Sequence, residues 1–187
     1  MSTSTKFDLT DHLIVYLIKQ IAPQHKAGKG ILTIVLAKLL FLVDFEYFKA
    51  TGKQATAIRY LWYKHGPYSL QDFEPRLELL EGHEIVRLPM TRDVDGRPYN
   101  LFKEGPNPRF SLQLPLDVKK QADRIIFIFG QSSWQDILNY IYSLEFAKNM
   151  KLKEPVEFTS ILKITDTDAA FISNVTEAFH EELMKPL

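Results

Sequence analysis

The sequence predicts a mainly α domain with a small antiparallel β-hairpin, an α+β class with a winged-helix-like element inside a compact helical body. Three observations carry this. The run Lys38-Leu39-Leu40-Phe41-Leu42-Val43-Asp44-Phe45-Glu46-Tyr47-Phe48 is apolar almost all round, the mark of a helix buried on several sides. Helix-start signals at Asp8, Ser69-x-x-Asp72 and Ser133-x-x-Asp136 each precede apolar residues at helical spacing. Asp95-Gly96, the strongest hairpin signal in the chain, lies between two strand-like runs.

The first helix is expected from Asp8 to Ala22. Asp8 caps it, Leu9, Leu13, Tyr16, Leu17 and Gln20 follow its period, and Pro23 stops it. Gln24 to Gly30 reads as a basic, solvated loop; its Gly-Lys-Gly lacks the spacing of a phosphate cradle. The central helix follows, with Gly52 as its C-cap, and Lys53 to Ile58 as an extended or turn segment. Arg59 to Ser69 then carries four large aromatics around Gly66-Pro67, where the chain is expected to turn because a helix rarely runs through Gly-Pro.

A helix is predicted to begin near Asp72 and end at Gly82, with Pro75 tolerated only in its first turn. Strands are predicted at Glu84 to Leu88 and Arg97 to Phe102, with Arg109 to Leu114 as a third. Helix, Gly-Pro turn, helix and hairpin in that order give the winged-helix outline. Helices are then expected over Leu116 to Phe129, from Trp134 to about Phe146 and, after a break at Glu154 to Phe158, over Asp168 to Met184.

Composition narrows the possibilities. With 187 residues, 45% of them hydrophobic and 25% charged, the chain suits one well-buried domain. The 23 basic and 23 acidic side chains cancel, which weighs against nucleic acid as a partner. The absence of cysteine removes disulfides, thiolate metal sites and cysteine nucleophiles, and fits a cytoplasmic location. The start is polar, and the most apolar run is too short and too charged to span a membrane.

No histidine pair has metal-binding spacing, and no nucleophile elbow, dinucleotide fingerprint or Walker sequence is present. The reading is therefore non-enzymatic, with no cofactor and no metal. His65 beside Gly66-Pro67 is expected to bond backbone as a turn histidine. Lys38 and Asp44 lie inside a buried helix, so each must be paired or reach water; for Asp44 a structural bond to Arg59, Tyr60 or Tyr63 is expected. Tyr60, Trp62, Tyr63 and Tyr68 lie in a segment that can bury only one side, leaving the others as protein-binding anchors. The candidate recognition helix of the winged-helix outline holds Asp72, Glu74, Glu78 and Glu81 against Arg76 alone, a face that repels phosphate.

The ordered pair of segments, Lys38-Leu39-Leu40-Phe41-Leu42-Val43-Asp44-Phe45-Glu46 with Gly52, then Tyr60-x-Trp62-x-Lys64-His65-Gly66-Pro67-x-Ser69, resembles the Panacea domain of SocA-like antitoxins and phage-associated proteins. Ile137 to Tyr142 and the break at Pro155 to Phe158 extend the likeness, so that it runs from about Asp8 to Phe158. His65 and Tyr68 stand where many members carry tyrosine or valine, so partner identity does not transfer.

The resemblance implies a helical domain with a small β element that binds and neutralises a cognate protein toxin. Other members are similar to adaptors that present the toxin to a protease. The expectation is an antitoxin domain over residues 1–158 and a helical extension over 159–187, with Lys38, Tyr60, Trp62, Tyr63, His65 and Tyr68 as candidate partner-binding residues. The alternatives are a winged-helix DNA-binding repressor and a proteolytic adaptor. Oligomeric state is left open.

Overall fold

A computed structural model describes residues 7–24, 30–82, 84–92, 96–106 and 111–161. The central helix α2 (Thr33–Thr51) is the element that the others surround. Every residue from Val35 to Glu46 is buried, which is why its sequence has no polar stripe. Gly52 ends it in the left-handed region at φ 71°, as its C-cap position requires.

Helix α1 (Leu9–Ile21) packs against α2. Asp8 accepts from the backbone of Thr10 and Asp11, and the Asp11 carboxylate accepts in return from Asp8 N at 2.9 Å, closing a reciprocal cap. Residues 25–29 of the basic loop lie outside the described residues. The chain returns through a two-residue strand, β1 (Ile31–Leu32), directly before α2. After α2 come the hairpin β2 (Leu61–Tyr63) and β3 (Gly66–Tyr68), the short helix α3 (Glu74–Leu80), and the hairpin β4 (Ile85–Thr91) and β5 (Pro98–Glu104). Helices α4 (Leu116–Phe129) and α5 (Trp134–Ser143), a 3₁₀ turn at Glu145–Asn149 and a last turn, α6 (Phe158–Ile161), complete the description. The predicted helix at Asp168 to Met184 lies outside the described residues.

Two small antiparallel sheets result, one ordered β1-β5-β4 and the other β2-β3. The third strand of the first sheet is β1, pairing Ile31 with Phe102 and Leu32 with Leu101. Residues 111–114, expected to supply it, form no strand. Instead Leu112 and Leu114 lie against the core, and Gln113 N donates to His12 Nδ1 at 3.4 Å, a use that suits a proline-flanked segment.

Helix α3 starts at Glu74, two residues later than predicted. Only half of the Ser69–Asp72 box forms: Asp72 N donates to Ser69 Oγ, while the Asp72 carboxylate accepts from the backbone and guanidinium of Arg59. Pro75 then fills the first turn, where its missing N–H costs nothing. Arg76 joins α3 to the start of α1 through Asp8 and Asp11 at 2.7–2.8 Å. Helix α5 opens on the expected Ser133–Asp136 box but stops at Ser143, three residues short, where the chain tightens into the 3₁₀ turn.

Candidate functional site

The β2–β3 hairpin packs on α2 and is held along β2 by the returning chain at residues 153–156. Trp62 N donates to Glu154 O at 2.8 Å, Lys153 N to Trp62 O at 2.6 Å, and Val156 N to Tyr60 O at 2.9 Å, so residues 153–156 flank β2 as a third extended segment. Phe158 then folds back onto Phe41, Phe48 and Tyr60, with ring centroids 5.5–6.0 Å apart.

The chain reverses at Lys64-His65 rather than at Gly-Pro. Gly66 pairs with Tyr63, and Pro67 with Trp62, on the returning strand. Among the described residues only Lys153 combines a side chain with positive φ, so Lys64 and His65 keep ordinary angles and Gly66, at φ 77°, supplies the left-handed residue that closes such a loop. A Cβ on Gly66 would also lie 3.2 Å from Leu138 Cδ1 on α5. Gly66→Ala is therefore expected to cost about 1–3 kcal/mol, read as a lowered urea midpoint with unchanged slope.

Strand alternation divides the candidate aromatics. Tyr60 and Trp62 face inward at 3% and 5% exposure: Tyr60 stands edge-on to Phe41, and Trp62 packs on Tyr142 and Phe146. They brace the hairpin and leave its outer face to Tyr63 and Tyr68. His65 is exposed at the tip, its ring edge-on to Trp134 at 5.9 Å in place of the expected backbone bond. Tyr142 Oη donates to Lys64 O at 2.8 Å and ties the tip to α5.

Asp44 is fully buried and structural. Its carboxylate accepts from Thr56 N at 2.8 Å, Thr56 Oγ1 at 2.5 Å, Tyr60 Oη at 2.8 Å and Gln54 Nε2 at 3.1 Å. Burial pushes its pKa up to about 6 against the downward pull of these donors. The bonds fasten Gln54 to Tyr60 onto α2 and thereby set where β2 begins.

Lys38 has a different setting. It is 2% exposed, its Nζ donates to Pro67 O, and the ammonium lies 5.7 Å from the Tyr68 ring centroid. Burial pushes its pKa down to about 7. Tyr68 Oη is bonded to Glu74, and that bond together with burial holds the phenol well above its ordinary pKa.

These side chains line one groove. It has a volume of about 610 Å³ and runs between the start of α2, the outer face of the hairpin, α3, the Tyr99-Asn100 end of β5 and Leu152-Lys153. Lys38, Tyr63, His65 and Tyr68 all line it, whereas Tyr60 and Trp62 do not. Leu70 and Leu152, at 55% and 65% exposure, also line it and were not singled out from sequence. Leu70 reads locally as the start of a helical stripe with Phe73, Leu77 and Leu80, but α3 begins only at Glu74, and Leu152 carries no local signal, so only folding reveals that they share a face. Among the described residues no group of three or more acidic, histidine or cysteine side chains could hold a metal ion. No described helix is long and apolar enough to cross a membrane.

Comparison with known families gives a match. The family described as "Antitoxin SocA-like, Panacea domain" matches residues 36–145, a span narrower than the Asp8–Phe158 likeness read from motifs. It takes in α2 from its fourth residue onward, both hairpins, α3, α4 and α5. No curated protein and no solved structure matches the chain.

Proposed function

The chain belongs to the SocA-like antitoxin family with a Panacea domain, and from that premise we propose that it neutralises a cognate protein toxin by direct binding, without catalysis, through the groove beside the β2–β3 hairpin. The observation that carries this reading is the juxtaposition of exposed Leu70 and Leu152 with Tyr63 and Tyr68 around one concave surface. Large apolar side chains left in water on one groove mark a place where another polypeptide sits.

Silencing a toxin at nanomolar concentration needs a Kd near 1 nM, about −12 kcal/mol, which ordinarily takes an interface of about 1,600 Å² with a few buried anchors. The groove and its rim leucines supply the anchors. The DNA-binding alternative has less support, because Arg76, the one base of the candidate recognition helix, is taken by Asp8 and Asp11, and Glu78 and Glu81 face solvent.

The test is co-expression with the product of the adjacent gene, read as rescue of growth and as co-purification. Neither rescue nor co-purification would end the proposal. Leu70→Glu combined with Leu152→Glu is expected to abolish rescue and weaken binding at least about 100-fold, while the melting temperature stays within about 2 °C because both side chains are exposed.

A further inference from the structure

We infer that Lys38 is the selectivity element of this groove: its ammonium receives a carboxylate, so the partner segment seated there is apolar and acidic. The inference rests on the proposal that the groove is the partner's seat, and it adds the chemistry of what sits in it.

Among the described residues Lys38 is a buried cation without a buried anion. Among the described residues no carboxylate lies within ion-pair distance of Nζ, and the nearest acid of the groove, Glu74, is turned onto the Tyr68 hydroxyl. Of its three donors one goes to Pro67 O, and Lys38 is one of the residues that line the groove. Capping one carbonyl needs only a neutral donor, and the Tyr68 ring 5.7 Å away answers the charge only in part, so the fold alone gives part of the reason for a lysine whose charge is costly to bury. A carboxylate arriving from outside supplies the rest.

The rim agrees in sign. Lys64 and Lys153 line the groove beside Lys38, against Glu74 as the one acid of the lining. Such a field draws an acidic segment and disfavours a basic one. A free small acid would leave Leu70 and Leu152 in water, whereas a polypeptide covers them.

The mode of docking is constrained too. Trp62 directs its N–H and carbonyl towards residues 153–154, so its partner Pro67 turns the other way, along the outer edge of β3. At that edge Pro67 has no N–H, and its carbonyl is held by Lys38. The edge therefore offers no ladder, and the partner is recognised through side chains rather than as an added strand.

The experiment is selection of random dodecapeptides displayed on phage against the full-length protein, followed by fluorescence polarisation with the best peptide. The expected consensus places Asp or Glu among large apolar residues. Affinity is expected to fall at least about tenfold in Lys38→Met, in Lys38→Gln, which keeps a donor for Pro67 O but no charge, and when the peptide's acid is replaced by its amide.

A pH series separates charge from shape. An incoming carboxylate favours the protonated lysine, so binding takes up a proton above neutrality and affinity falls about tenfold from about pH 6 to about pH 8. The slope is read as the difference from Lys38→Gln, because Glu74, Lys64, His65, Lys153 and Tyr68 face the groove in both proteins. A basic consensus, no acidic consensus, or equal binding by wild type and Lys38→Gln overturns the inference, and the antitoxin reading then still stands if the adjacent gene product co-purifies. An acidic, Lys38-dependent peptide together with no capture of that product sustains the inference and removes the toxin.

Discussion

Asp44→Ala is expected to lower the stability of the folded chain by about 3–5 kcal/mol, the largest effect of any single substitution considered. The carboxylate is fully buried and serves four donors at once, from Thr56 N, Thr56 Oγ1, Tyr60 Oη and Gln54 Nε2. Removing the shared acceptor strands the buried donors Thr56 N, Thr56 Oγ1 and Tyr60 Oη, while Gln54 Nε2 keeps Ile58 O, and three stranded donors cost far more than the net worth of one hydrogen bond. For a chain of this size the loss corresponds to a melting temperature lowered by about 10 °C or more. Asp44→Asn retains one acceptor and is expected to lose less.

The cost should also depend on pH. The folded pKa, about 6, lies above the unfolded value of 3.8, so between them the folded state holds a proton that the unfolded state has released. Wild-type stability from this group is greatest below the unfolded pKa and declines as pH rises through about 6. The penalty of Asp44→Ala is therefore expected to shrink from about pH 4 to about pH 7 in urea titrations. A penalty that grows with pH would show that the donors, not burial, dominate the carboxylate.

Lys38→Met is expected to act in the opposite direction on stability. Methionine keeps the unbranched stem against Gly66 and the core while removing a charge held out of water. Below about pH 7 the gain should be about 1–3 kcal/mol, reduced by the carbonyl of Pro67 left without its donor. Here the folded pKa, about 7, lies below the unfolded 10.5, so in that window the unfolded chain binds the extra proton and wild-type stability rises with pH. The advantage of Lys38→Met should accordingly narrow between about pH 7 and about pH 10, a trend that differential scanning calorimetry at several pH values reads directly. A protein stabilised by the substitution yet weakened in binding the selected acidic peptide would carry the signature of a residue kept for binding. Destabilisation at about pH 6 would instead assign Lys38 to the fold.

Much of this architecture is legible in local sequence because local chemistry suffices to specify it. The cap at Asp8, the Ser133–Asp136 box, Gly52 and the strands around Asp95-Gly96 rest on neighbours a few residues apart, and the folded chain places its elements accordingly. The run of α2, apolar on every side apart from Lys38, Asp44 and Glu46, could only be buried all round. The short β1 is different: two residues show no period, and its partner on β5 is some 70 residues away. The site is legible in the same uneven way. Alternation says that one side of Tyr60 to Tyr63 must be buried but not which side, and the answer depends on α2, on Phe158 and on the return of residues 153–156.

By itself the sequence determined the family and the all-round burial of the central helix, since each depends on residue type at fixed spacing, and for Asp44 it pointed to Tyr60 but not to Thr56 or Gln54. Only the tertiary structure decided that Tyr60 and Trp62 support the hairpin while Tyr63, His65 and Tyr68 share a groove with Leu70, Leu152 and the ammonium of Lys38. The physical reason is that a groove is made of residues brought together from different elements, and the packing that unites them leaves no trace in the spacing of any one of them.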